Sequence, residues 1–416
     1  MMMRVLCTSV MAALFSTLSA AQIPVPPVVP GLLATATVRP LLDQDPGVAT
    51  ARAGLDIARH EADILGQSPY EWSAKALTQR RNVTGAGGFN EWHVGLERGV
   101  RLPAKGAADR RMGEAALGEA RARYGEAVHI AARELMTSWL DWLAADQAYT
   151  LAQASGVSVQ DNLTAVDKRV KAGDASRLDA NLAKAELAEQ RRLENDAKTQ
   201  AAAAWARLSV RFPGFARERT ALPLPLAWDQ SDGFWQQRIL SESDELKIVQ
   251  AQVARAEAKS AREQADRMPD PTLGVYRASE AGGREKITGF TISIPLPGGL
   301  RSSRSAKAVA AQEAAMQALA LKRRQLEMAT AGELATARGT FDSLQIATEG
   351  LKGMQENARL VQRAYSLGEG DLQTLLLARR QASSAAQSAL QAQVVALRAW
   401  YGLLVDAHLI WELDKD

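Results

Sequence analysis

Apolar residues recur along the chain at helical spacing, and the elements that they indicate occur twice. In the first half, apolar residues at steps of three and four predict an amphipathic helix: Val48, Ala51, Leu55 and Ala58. In the second half the same spacing returns: Leu246, Val249, Val253 and Ala256. The chain is therefore interpreted as two copies of one structural unit.

Proline positions predict a very long helix in each copy. No proline lies between Pro103 and Pro213, and none follows Pro297. Because proline interrupts helices, these stretches permit helices over about residues 104–172 and 299–367. At about 1.5 Å per residue, each would be roughly 100 Å long.

A tight turn is predicted at the end of each long helix. Gly173 and Gly368 can adopt the left-handed conformation that ends a helix. Ser176 and Asp371 then suit the N-cap of the following helix. Each copy should form an antiparallel helical hairpin with a short tip.

Two strands are predicted before each long helix. Apolar and polar residues alternate there, as in a half-exposed strand, around residues 70–76, 92–97, 272–275 and 288–294. Glycine-containing segments 82–88 and 281–284 are predicted as the hairpin loops. Each strand would present an apolar and a polar face, which is typical of a transmembrane barrel.

These elements define the expected domain organisation. Six segments are predicted: a signal peptide at 1–21, an irregular segment at 22–44, a first repeat at 45–211, a linker or equatorial segment at 212–240, a second repeat at 241–407 and a tail at 408–416. The linker, with the region of Trp411, is expected to form a belt around the helices.

The N-terminal residues are typical of a secretory signal. Arg4 precedes an apolar run, and small residues Ser19 and Ala21 suit the −3 and −1 positions of a cleavage site. The single cysteine, Cys7, lies inside this segment, so the mature chain should contain no disulfide. No later apolar run approaches the roughly 20 residues of a membrane helix.

Composition argues against several function classes. The net charge is only +3 and aromatics make up 5% of the chain, so nucleic-acid binding is not expected. The four histidines show no metal-ligand or catalytic spacing, and no enzyme activity, metal or cofactor is expected. His129, near Glu126 and Glu134, is interpreted as part of a surface cluster.

The predicted strands require self-association if they cross a membrane. Lipid offers no partner for backbone N–H and C=O groups, so a spanning sheet must close on itself. Bacterial barrels have at least eight strands, whereas this chain offers four. Two, three or four copies would supply 8, 12 or 16 strands.

The duplication, the strand pairs that end in Leu-Pro and the two tips resemble the TolC-like outer-membrane efflux channels. The tips are Lys171-Ala-Gly-Asp-Ala-Ser-Arg-Leu-Asp179 and Tyr365-Ser-Leu-Gly-Glu-Gly-Asp-Leu372. The similarity spans about residues 45–404. It implies a mainly α fold with a small β part: long duplicated helical hairpins that form a trimeric α-barrel, with a 12-stranded transmembrane β-barrel of four strands per chain.

The resemblance also implies a location and partners. The chain would lie in the outer membrane of a Gram-negative bacterium, in contact with its lipid, and extend into the periplasm as a homotrimer. It would work with a periplasmic adaptor and an inner-membrane pump. The resemblance favours a pump of the resistance-nodulation-division type, with the metal-exporting branch as one option.

Particular residues follow from the resemblance. Asp179, beside Arg177, matches an acidic residue of the family's periplasmic constriction, whereas Thr374 and Leu377 stand where the family often has acids. A carboxylate ring from Asp179 and an apolar ring near Leu377 are therefore expected. Six tip residues are candidates for adaptor contact: Gly173, Asp174, Ala175, Gly368, Glu369 and Gly370.

The tryptophans fall into two groups. Trp72 and Trp92, in predicted strands, are candidates for a membrane aromatic belt. Helix-packing roles are expected for Trp139, Trp142, Trp205 and Trp400.

Two other functions remain open from the sequence. A type I protein-secretion exit duct would share the whole architecture. A periplasmic coiled-coil adaptor or scaffold also has long hairpins, although it would normally present one hairpin between β-rich domains.

Overall fold

Long antiparallel helices carry a small sheet at one end of the molecule. The computed structural model describes residues 31–227 and 230–413. The predicted signal peptide, with Cys7, lies outside the described residues.

Two helical hairpins dominate the fold. α3 spans Pro103–Ala172 and α7 spans Gly299–Leu367, which confirms the two long helices predicted from the proline pattern. They are followed by α4, Arg177–Arg211, and α8, Leu372–Asp406, each 35 residues long. Pro103 begins α3 because the first turn of a helix needs no backbone donor there.

Four shorter helices complete the helical part. They are α1, Thr35–Asp43; α2, Pro46–Gly66; α5, Asp232–Glu242; and α6, Asp244–Ala265. The interpretation of 22–44 as irregular differs from the structure at α1. There Val38 and Leu42 are fully buried, and their packing outweighs the disruption from Pro40 inside the helix.

The long helices lie side by side in one layer. Near the tips, α3 lies between α4 and α8, and α7 packs on the other side of α8. Near the sheet, α3 lies between α2 and α6, and α7 packs against α6. α7 therefore forms one border of the layer, while α2 and α4 form the other.

The sheet has four antiparallel strands in the order β1-β2-β3-β4. Their bounds are β1, Trp72–Val83; β2, Gly87–Gly99; β3, Thr272–Glu280; and β4, Glu285–Ser293. The turn after β1 is shorter than the predicted 82–88 loop, because the ladder continues to the pair of Val83 and Gly87. β1 and β4 are free edges.

Among the described residues, two apolar cores hold the layer together. The larger lies midway along the helices and contains Trp139, Trp142 and Trp400, with Trp205 packed against it, which confirms their predicted packing roles. The C-terminal segment joins this core, since Trp411 is buried and its Nε1 donates to the Leu33 carbonyl at 2.9 Å. None of the helices within 31–227 and 230–413 combines the length and the apolar character that a membrane crossing needs.

Candidate functional site: the sheet and the hairpin tips

One face of the sheet is covered with exposed apolar side chains. Strand pairing places Trp72 and Trp92 on this face, since Trp72 lies opposite Arg98 and Trp92 lies opposite Thr78. Thr78 is six residues beyond Trp72, or roughly 20 Å along the strand at about 3.3 Å per residue. Between the two tryptophan levels the same face carries exposed apolar residues: Val94, Leu96, Val275 and Phe290.

The opposite face is polar and internally paired. Lys75 Nζ lies 2.7 Å from the Glu97 carboxylate. Glu91 is buried and accepts hydrogen bonds from Gln79 Nε2 at 3.0 Å and Arg81 Nε at 2.8 Å. A sheet with one apolar and one paired polar face matches the wall of a transmembrane barrel with a hydrated interior.

Most charged residues of the apolar face lie toward its ends. Arg80 and Lys286 are on the side of the hairpin turns, where long side chains can extend toward water. Arg277 is the exception, since it lies opposite Val94, between the two tryptophan levels. At the other end, Arg98 lies 5.5 Å from the Trp72 ring centroid, and its Nε donates to the Tyr70 carbonyl at 3.0 Å. The Trp72 ring therefore packs against the Arg98 guanidinium at this end of the face.

A buried ionic network joins the sheet to the helices. Lys105, in the first turn of α3, is 1% exposed, and its Nζ lies 2.8 Å from Asp266 and 3.1 Å from Asp270. Asp270 also accepts from the Tyr70 hydroxyl at 2.7 Å and from the Leu102 N–H at 2.9 Å. Residues before β1, at α3, and between α6 and β3 therefore meet at one buried ammonium group.

The network shifts the pKa values of its members. Burial alone would raise the pKa of Asp266 and Asp270, but the hydrogen bonds that they accept, including those from Lys105, outweigh it and hold both pKa values below the usual range. Burial and the hydrogen bond to Asp270 raise the pKa of the Tyr70 hydroxyl to about 12. Both carboxylates are thus held in their charged form.

The two tips have equivalent backbones. Gly173 has φ 85° and Gly368 has φ 81°, and each N–H bonds to carbonyls of the preceding helix. Only glycine adopts this conformation without strain, which explains its presence at both turns. The predicted N-caps Ser176 and Asp371 are confirmed.

The capping pairs are exchanged between the tips. At the first, the Asp179 N–H donates to Ser176 Oγ at 3.1 Å, and the Asp179 carboxylate accepts from the Ser176 N–H at 3.0 Å. At the second, Asp371 is the cap, and it accepts from the Thr374 N–H and from its hydroxyl, both at 2.8 Å. Each tip thus pairs one carboxylate with one hydroxyl three residues apart, and the two groups occupy opposite positions at the two tips.

The hairpins also contact each other near the tips. Arg169 of α3 lies 5.0 Å from the ring centroid of Tyr365 on α7, and Arg380 of α8 forms an ion pair with Glu186 of α4. Leu178 and Leu377 remain exposed. The tip end is a fixed surface made by both repeats, with apolar side chains available for further contacts.

A protein-family model described as outer membrane efflux protein matches residues 38–210 and 235–404. The chain belongs to the outer membrane efflux protein family. The match spans most of both repeats. As a member of this family the chain is an outer-membrane protein that serves as an exit channel for efflux, and this family is one of passive conduits and not of enzymes.

Solved structures of channels share the fold. The outer-membrane channel OprN superposes with a TM-score of 0.75 at 17% identity, covering 91% of this chain and 91% of its own. CusC, whose crystal structures concern folding and transmembrane channel formation, has a TM-score of 0.74 at 14% identity, covering 89% of this chain and 92% of its own. The open-state MtrE channel of Neisseria gonorrhoeae has a TM-score of 0.71 at 20% identity, covering 90% of this chain and 88% of its own. Curated protein sequences gave no match.

The predicted site residues of this efflux family member fall into three places. The six predicted adaptor-contact residues lie together at the tips. Trp72 and Trp92 share one sheet face, 61% and 43% exposed. Asp179 and Arg177 are neighbours in the first turn of α4, but within the part of the chain that the structure describes their side chains form no ion pair, because the Asp179 carboxylate is bonded to Ser176.

Sequence reasoning missed two groups of residues. Lys105 follows Pro103 closely and resembles any helix-start lysine, so nothing local indicates its burial. The interpretation of His129 with Glu126 and Glu134 as a surface cluster is wrong. His129 is largely buried and lies 2.9 Å from Asp406 of α8, while Glu134 instead bonds with Arg211. Only the packing of α8 beside α3 brings Asp406 to this place.

Proposed function

We propose that this chain forms a homotrimeric outer-membrane channel of a tripartite efflux system, which receives small molecules or metal ions from an inner-membrane pump. The observation that carries the proposal is a four-stranded sheet with two free edges and one exposed apolar face, set on two long helical hairpins. Three copies would join β4 of one chain to β1 of the next and close twelve strands.

The borders of the helical layer support self-association. Exposed apolar side chains lie on both borders, where a neighbouring copy would cover them. On one border they are Ile57, Ile64, Leu193 and Val210, and on the other Leu321, Met328, Ile346 and Leu360. Closure of the layer would bury these residues together and produce a hollow helical cylinder below the membrane.

The tips would dock a periplasmic adaptor that recruits the pump. Small residues at both turns leave the backbone open to close approach by other helical hairpins, and Asp174 and Glu369 add charge. The sequence resemblance favours a resistance-nodulation-division pump. A type I secretion system is the second candidate, because a protein-conducting duct would use the same cylinder.

Site-specific crosslinking tests the docking. The mature chain should lack cysteine, so Asp174→Cys would introduce a single thiol at the exposed tip. A short thiol-to-amine crosslinker applied to intact cells is expected to join it to an adaptor, identified by mass spectrometry, whereas Lys198→Cys, exposed on α4 away from the tip, should not be joined. An adaptor of a pump supports efflux, and one of a secretion system supports the duct. Equal capture at both positions would contradict tip docking.

A further prediction concerns the constriction. If the three Asp179 carboxylates line the lumen, they should favour cations. Asp179→Asn removes the charge but keeps an oxygen that can accept from Ser176, so the cap should survive. Purified channels in planar bilayers under a salt gradient are expected to show a reversal potential closer to zero.

The matched control is Asp196→Asn, which removes an exposed charge farther along α4. It should leave the reversal potential unchanged. An unaltered cation preference in Asp179→Asn would show that this carboxylate only caps the helix. Leu377→Ala should widen the apolar constriction and raise single-channel conductance without changing ion preference.

A further inference from the structure

A cavity of about 390 Å³ lies where α8 ends and α6 begins, between α3 and α7. Its walls include Glu126 and Arg133 of α3, Thr330 and Glu333 of α7, and Asp406 at the end of α8. It lies midway along the helices, away from the sheet and the tips. Neither the closure of the barrel nor the docking of an adaptor uses it.

At the equivalent place in the first repeat, a cationic side chain lies between the two helix ends. There α4 ends at Arg211 and α2 begins with the N-cap Asp45. Arg211 forms an ion pair with Asp45 and donates to Glu134, its Nε lying 2.8 Å from the carboxylate. One cation thus joins the two helix ends directly.

The second repeat lacks that cation. α8, which has the same length as α4, ends in Asp406 where α4 ends in Arg211. α6 begins with the neutral cap Ser243, followed by Asp244 and Glu245. An acidic side chain therefore faces an acidic helix start, and the space between them is the cavity.

The walls carry more negative than positive charge. Five carboxylates line the cavity: Glu126, Asp244, Glu245, Glu333 and Asp406. Arg133 pairs with Asp406 and lies 3.6 Å from Glu333, Lys247 lies 3.3 Å from Asp244, and Lys322 lies 2.5 Å from Glu245. The five carboxylates therefore outnumber these three cations by two. His129 and His408 are the other titratable groups of the wall.

Two of these carboxylates, those of Glu126 and Glu333, have pKa values above the usual range. Burial raises the pKa of Glu126. The nearby carboxylates of Glu245 and Asp244 raise this pKa as well, whereas His129 and Lys322 lower it. Burial and Asp406 likewise raise the pKa of Glu333, although Arg133 opposes the shift. A positive group between them would favour the charged form of both.

Thr330 supplies an independent observation. It is 1% exposed and lines the cavity, and its hydroxyl has no hydrogen-bond partner among the residues that the structure describes. Other hydroxyls of α7 bond back to the preceding turn, as Thr336 does to Gly332 and Thr348 does to Leu344, both at 2.8 Å. A buried hydroxyl without a partner is unfavourable unless a ligand or water satisfies it.

We propose that this cavity binds a small organic cation, an aliphatic amine whose ammonium groups contact Glu126, Glu333 and the Thr330 hydroxyl. The volume falls in the range of small-molecule pockets and exceeds the need of one ion. Ile130, Ile239 and Leu326 provide apolar wall for a hydrocarbon body. Within residues 31–227 and 230–413 no cluster of acidic, histidine or cysteine side chains has the arrangement to hold a metal ion.

Calorimetric titration of the purified full-length protein in detergent tests the site. The probe 1,5-diaminopentane is expected to bind saturably, once per chain, at neutral pH. Glu333→Gln and Glu126→Gln should each weaken binding about tenfold or more, because each removes a charge-assisted hydrogen bond. Thr330→Val should weaken it less.

Two controls separate the site from nonspecific charge effects. The neutral 1,5-pentanediol should not bind, and Glu349→Gln, on an exposed part of the same helix, should leave diamine affinity unchanged. Absence of saturable diamine binding, or equal weakening by Glu349→Gln and Glu333→Gln, would overturn the proposal. Neither outcome would affect the assignment as a channel, which conductance tests independently.

Discussion

Replacement of Lys105 by methionine is expected to destabilise each chain by about 3–5 kcal/mol. Methionine matches the size of the lysine stem but leaves Asp266 and Asp270 without the ammonium that they share. Asp266 would keep its ion pairs with Arg262 and Arg301. The buried Asp270 carboxylate would lose its cation and retain the hydrogen bonds from Tyr70 and Leu102. Because these groups connect the sheet to α3 and α6, the loss should also reduce assembly.

Two measurements check the Lys105 effect: the midpoint of chemical unfolding of the purified protein and the amount of heat-modifiable oligomer in outer membranes. The control is Lys198→Met, an exposed lysine of α4 that should tolerate the same change. If both variants unfold at the wild-type denaturant concentration, the network contributes no stability and the interpretation fails.

Acid should weaken the same junction. The pKa values of Asp266 and Asp270 are lowered in the folded chain, so their contribution to stability is fully present above the ordinary aspartate pKa of 3.8. It is lost as pH falls below that value through the folded pKa values. Lys105→Met removes the main buried cation, so the stability of this variant should fall less between pH 5 and pH 3 than that of the wild type. An equal fall would contradict this role.

The second large effect is expected from Val275→Arg. Val275 is 56% exposed on the apolar face and lies between the levels of Trp72 and Trp92. If that face contacts lipid, an arginine near the bilayer midplane should cost about 2–4 kcal/mol per chain. Unfolding of the protein from lipid vesicles would measure this loss.

Thr291→Arg provides the matched control on the neighbouring strand. Thr291 is opposite Gly274 on the polar face, so its substitute would point into the hydrated interior of a barrel. We expect little loss of stability there, with a change in conductance instead. Equal tolerance of arginine at both positions would show that neither face contacts lipid.

Local patterns were sufficient to predict most of the architecture. Long helices follow from uninterrupted helix-forming stretches, and the tips follow from Gly173 and Gly368, whose positive φ was expected from the turn. The alternation assigned Trp72 and Trp92 each to the apolar side of its own strand, and the strand pairing places these two sides on one face. These features depend on residues that are close together in the sequence.

The ionic contacts could not be predicted in this way. Lys105 meets Asp266 and Asp270, and His129 meets Asp406, across sequence separations that no local pattern reveals. Asp179 shows the related difficulty that one carboxylate can serve both as a helix cap and as a channel charge. Its cap contacts are visible in the chain, while its lumen position depends on neighbouring copies.

The mass of the assembled protein tests the channel most directly, because four strands cannot seal a membrane pore without other copies. Native mass spectrometry of protein extracted from outer membranes should give a particle of three mature chains. A single chain that stays in solution without detergent and does not insert into vesicles would contradict both the closed barrel and the exit-channel function.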